Sequence, residues 1–72
     1  MSEEAKIIAF VAFCVESYKV AKNHSGESVS SLFSRFGVDR YLYEEYDVLH
    51  TMGIEAILAD IDRYLEVRGG LA

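Results

Sequence analysis

The chain has no proline, and its five glycines cut it into helix-length pieces. Proline would interrupt a backbone ladder, so each piece is free to run as an unbroken helix. Glycine just past the last periodic residue is a usual helix stop. Gly26, Gly37, Gly53 and the pair Gly69–Gly70 are the punctuation here.

The piece from about Glu3 to Asn23 starts well, with Ser2 as N-cap and Glu3 and Glu4 where the helix dipole favours acids. Stepping 100° per residue, Ile7, Phe10, Val11, Cys14, Val15, Tyr18 and Ala21 share one wide stripe. Ala9, Phe13, Glu16 and Val20 form a second stripe, apolar except for one glutamate. A helix apolar on two sides is central to its fold or part of an interface.

Ser25 is an N-cap for a second helix through Phe36, with Val29, Leu32, Phe33 and Phe36 on one face and Gly37 as its stop. Asp39 is placed to cap a short helix through Glu45 that buries Val38, Tyr41 and Leu42. Asp47 is placed to cap a further turn carrying Val48 and Leu49. From Gly53 to Arg68, the residues Ile54, Ile57, Leu58, Ile61 and Leu65 fall in an arc of about 100°. These readings predict one all-α domain over residues 1–72, a bundle of about four helices, two long and two short. The long helices pack through Ile7, Val11, Cys14 and Tyr18 against Ile57, Ile61 and Leu65, and Leu32, Phe33 and Phe36 close the core.

Composition removes several function classes. A 51% hydrophobic content excludes a disordered chain. One cysteine, Cys14, excludes an internal disulfide and suits a reducing, cytoplasmic setting. Residues 1–36 carry four acids and four bases, whereas residues 37–72 carry eight acids and three bases. A net charge of −5 argues against a phosphate-binding surface. A helix-turn-helix reading of residues 25–46 fails on the same ground: its recognition helix sets Glu44, Glu45 and Asp47 against Arg40. No direct nucleic-acid contact is expected. The uncharged run Ile7–Val15 is too short to span a bilayer, and acids stand where a signal peptide carries its positive leader, so no membrane role is expected.

Candidate chemistry is sparse. Asp47 and His50, three residues apart, could touch on a helical turn as a general-base pair. A small enzyme or enzyme subunit using them is the alternative to a cap, and no serine or second acid is tied to them. Cys14 lies mid-stripe, where burial makes a thiol a small hydrophobe. His24 and His50 lack metal-ligand spacing, so no metal and no cofactor is assigned. The expected protein is not an enzyme. A small core is marginal at 72 residues, which adds a reason to bury the second stripe of the first helix. Ala9, Phe13 and Val20 are therefore candidate interaction residues, joined by Tyr43 from the tyrosine-rich run 41–46, and a homodimer or a heteromeric contact is the expected assembly. The competing expectation is that residues 38–51 fold over Phe13 within one chain.

The run Tyr46-Asp47-Val48-Leu49-His50-Thr51-x-Gly53 carries a resemblance. With Phe10, Phe13-Cys14-Val15-Glu16, Ser25-Gly26, Asp60-Ile61-Asp62 and Arg68-Gly69, it resembles a family of small bacterial proteins catalogued as a domain of unknown function. The likeness extends from Ala5 to Gly70. Met52 stands where the family usually has glutamine, and Ser28 where it often has the glutamate of a capping box. The resemblance implies a compact helical domain. It also implies an antitoxin-like companion of a protein encoded nearby, since genes of the family lie beside others for small domains, one resembling ADP-ribosyltransferases. Tyr46, Asp47, His50, Thr51 and Gly53 are expected to be structural or to serve recognition. In the structural case Asp47 caps the turn, and His50 and Thr51 tie it to the last helix.

Overall fold

The computed structural model describes residues 2–71. Five helices follow one another: α1 (Glu3–Lys22), α2 (Gly26–Phe36), α3 (Val38–Glu44), α4 (Tyr46–Leu49) and α5 (Ile54–Val67). No strand occurs among the described residues, so the all-α expectation holds, with the short third piece resolved into two helices.

Each cap has a local cause. Ser2 accepts a hydrogen bond from the Ala5 N–H at 3.1 Å, and α1 ends at Asn23 in the left-handed region. Ser25 accepts from the Ser28 N–H at 3.1 Å. The hydroxyl of Ser25 also donates to that of Ser28 at 2.9 Å, so the serine in place of a capping-box glutamate still closes a local bond. Gly37 at φ 74° ends α2 and starts α3 in the same residue, in a left-handed conformation that glycine adopts without a Cβ penalty. Asp39 is not the cap of α3. The helix already begins at Val38, and the Asp39 carboxylate instead accepts from the neighbouring Arg40 N–H at 2.8 Å.

α1, some 30 Å long at 1.5 Å per residue, is the spine. It contacts α2, α3 and α5, and α3 in turn contacts α2, α4 and α5. The buried core is Cys14 and Tyr18 of α1, Val29 and Phe33 of α2, Val38 and Leu42 of α3, Leu49 of α4, and Ile57, Ile61 and Leu65 of α5. The expected α1–α5 packing is present, although Ile7 and Val11 lie at its rim. Leu32 and Phe36 are also only partly buried, and Val29 takes the inner place on α2. The radius of gyration of 11.5 Å is close to the ~11 Å of a folded chain this long.

Polar bonds to two carboxylates, Asp60 and Asp62, hold α5 in register. The Tyr18 hydroxyl donates to Asp62 Oδ1 at 2.8 Å, and Lys22 reaches Asp62 Oδ2 at 2.7 Å. The Tyr41 hydroxyl donates to Asp60 Oδ2 at 2.6 Å, and Tyr41 stacks on Tyr64. Tyr18 also meets Phe33 edge-on at 5.2 Å.

Ile61 is fully buried, and Ile61→Ala is expected to cost about 2–5 kcal/mol, read as a lower urea midpoint. An unchanged midpoint would contradict this register of α5. Alkaline pH gives a second prediction. The hydrogen bond to Asp60, then burial, pushes the Tyr41 phenol up to about 12. Burial, then the bond to Asp62, raises Tyr18 further. A folded-state pKa above the unfolded one gives stability that is complete below the ordinary phenol value of ~10 and lost as pH rises through the folded value. The urea midpoint should therefore fall between about pH 10 and 12. Tyr41→Phe should lower the midpoint at neutral pH but flatten that fall, which separates the phenol from lysine deprotonation.

Candidate functional site

The surface of α1 away from the core is the least ordinary feature of the molecule. Phe13 is 54% exposed and Val20 70%, and Ala9 is exposed beside them. Residues 38–51 do not cover this strip; they pack on the other side of α1 through Val38 and Leu42. Glu16 interrupts the strip, but Lys19 pairs with it at 3.1 Å and cancels its charge. The pair is solvent-exposed and contributes at most about 1 kcal/mol.

Tyr43 is placed apart from Ala9, Phe13 and Val20. It sits on α3 beside an open groove of about 750 Å3, floored by Ile8, Val11 and Ala12 of α1. The structure therefore divides the four sequence candidates between two neighbouring surfaces. Ile8, 56% exposed, and Ala12 were not singled out from sequence. Their signal was present: at i and i+4 they lie between the two stripes of α1 and widen its apolar surface.

Segment 46–53 is built around Tyr46. Its ring meets Phe10 edge-on, with centroids 5.3 Å apart, and stacks on His50 at 4.4 Å with 9° between the planes. Asp47 does not cap α4. Glu45 occupies the N-cap position without a side-chain bond, and Asp47 lies exposed in the first turn. The physical reason is continuity: the Glu45 N–H still bonds to Tyr41 O, so α3 hands over to α4 with no side-chain cap. Nor do His50 and Thr51 tie the turn to α5. His50 is held by Tyr46, and the Thr51 hydroxyl donates back to Val48 O at 2.7 Å. Gly53 is the extended N-cap of α5, with open space where a Cβ would stand.

The remaining chemistry is isolated. Cys14 is fully buried, and burial pushes its thiol up to about 11, away from thiolate reactivity at neutral pH. No group of three or more His, Cys, Asp and Glu among the described residues could hold a metal ion. Among those residues, no helix is long and apolar enough to cross a membrane.

A family model described as "Protein of unknown function (DUF3791)" matches residues 9–68. Neither a curated protein nor a solved structure matches the chain.

Since Asp47 makes no capping bond, Asp47→Ala should change stability by under ~0.5 kcal/mol, the usual range for a surface change. Tyr46→Ala should cost more, because it removes the ring between Phe10 and His50. Urea midpoints of both variants check the order, and a larger loss for Asp47→Ala would restore its capping role.

Proposed function

The chain belongs to DUF3791, a family of proteins of unknown function, and we propose that this domain is a non-catalytic protein–protein interaction module working through the outer strip of α1. The observation that carries the reading is the exposure of Phe13 and Val20 on a long helix whose opposite side is the spine of the core. A rigid, apolar and locally neutral surface on a small domain is what a second helix packs against. The first partner is a second copy of the chain, which would supplement a core of marginal size.

The finer role is that of an antitoxin-like companion in the bacterial cytoplasm, presented to an effector protein encoded nearby. The free, buried Cys14 suits such a reducing compartment. The non-catalytic reading draws support from His50, whose ring lies flat on Tyr46, and from Asp47, which shares no hydrogen bond with it among the described residues.

Phe13→Glu tests the strip. Light scattering should give a dimer mass for the unaltered protein and a monomer mass for the variant, with the helical circular dichroism unchanged because Phe13 is outside the buried core. A monomeric unaltered protein, or a folded variant of unchanged mass, would remove self-association through this face.

A further inference from the structure

The outer face of α1 carries a pattern whose spacing is the same in either direction. Lys6, Ala9, Phe13, Glu16 and Val20 recur at the alternating three- and four-residue steps of a helix–helix seam, and all five are exposed. From Lys6 to Glu16 the steps are three, four and three, with opposite charges at the ends and a small and a large side chain inside. We infer that a second copy of the chain docks on this face antiparallel, with Phe13 seated on the partner's Ala9 and Lys6 paired with the partner's Glu16. The inference rests on the strip being a self-association face and specifies how the two copies meet.

Charge selects this arrangement over the others. Lys19, Lys22 and Arg63 pair with acids of their own chain, but Lys6 forms no ion pair among the described residues, although Glu3 lies one turn before it. Glu16 is held by Lys19, and its side chain is still 64% exposed, which leaves its carboxylate able to accept from a second cation. An in-register parallel pair sets Lys6 against the partner's Lys6 and Glu16 against the partner's Glu16, and like charges repel. Sliding the antiparallel pair by one heptad lays Phe13 on the partner's Glu16 and Lys6 on the partner's Asn23, and both ion pairs are lost. The stated register satisfies Lys6 and Glu16 on both sides of the two-fold axis.

Size selects it as well. Lys6 and Glu16 lie about 15 Å apart at 1.5 Å per residue, and the two-fold axis passes midway between them. Ala9 and Ala12, both exposed, flank that crossing point, so the two backbones can approach closely. Phe13, 54% exposed, then covers a methyl group rather than another ring. The two phenyl rings become the buried centre, and the charges form the polar rim that such interfaces carry. α2, α3 and α5 contact α1 from its core side, where Cys14 and Tyr18 are buried, and leave the seam open.

The test is a charge exchange on the full chain, read as the dimer dissociation constant by sedimentation equilibrium. Lys6→Glu and Glu16→Lys should each raise it about tenfold, since each sets two like-charged pairs in place of two opposite ones. A mere change of net charge moves the two variants in opposite directions, because one makes the chain more acidic and the other less. Lys6→Glu combined with Glu16→Lys in one chain should return the constant close to that of the unaltered protein. Mixing the two single variants should give a heterodimer of similar affinity, because every glutamate of the seam then faces a lysine. Both side chains are exposed, so the helical circular dichroism should be the same in all variants. A dimer that Phe13→Glu dissociates but neither charge variant weakens overturns the antiparallel register and leaves the strip standing. Single variants that weaken the dimer without recovery in the combined or mixed proteins overturn it equally. A monomeric unaltered protein removes the strip and this inference together.

Discussion

Ile61 is completely buried between two carboxylates, and each carboxylate receives a phenolic hydrogen bond from a different helix. Asp60 and Asp62 stand 200° apart on α5, one on each side of the Ile61 direction. One therefore reaches Tyr41 on α3 and the other reaches Tyr18 on α1. The tripeptide fixes both the depth of α5 and its rotation. A register slip of one residue would expose Ile61 and bring a carboxylate into the core, where an ionised group without partners is heavily penalised.

The remaining architecture follows from that lock. With α5 seated on α1, the buried flank of α1 is completed by α2 and α3, joined through Gly37. α3 is short, but Val38 and Leu42 are both fully buried, so it acts as the keystone between α1, α2 and α5. These elements cover one flank of α1 and leave Phe13 and Val20 in solvent. The interaction surface proposed here is thus a consequence of helix count: too few elements exist to clothe a spine that is apolar on two sides.

The aromatic residues divide by task. Tyr18 and Tyr41 are structural ties with hydroxyls committed to carboxylates. Tyr46 joins Phe10 to His50 and gives segment 46–53 its shape. Tyr43 and Tyr64 line the groove, beside Arg40 and Asp39. A chain this small therefore presents two chemically different surfaces on either side of one exposed helix edge, one an apolar strip, the other a groove with an apolar floor and a wall of mixed polarity.

The helices α1, α2 and α5, the serine caps of α1 and α2 and the left-handed stop at Gly37 were legible in the sequence, because caps and 3.6-residue periodicity act over a few neighbouring residues. The buried places of Phe33, Ile57, Ile61 and Leu65 were legible for the same reason. Asp39 and Asp47 read as caps because aspartate before a short apolar run usually is one; the structure uses the backbone continuity of α2, α3 and α4 instead. The docking side of α3 and the splitting of Tyr43 from Phe13 belong to the tertiary structure alone, as do the Tyr18–Asp62 and Tyr41–Asp60 bonds. A seven-residue helix shows fewer than two full turns of pattern, which leaves its buried face ambiguous. Residues 44 apart leave no periodic trace of the bond between them, and only the assembled packing of α1 on α5 brings Tyr18 to Asp62.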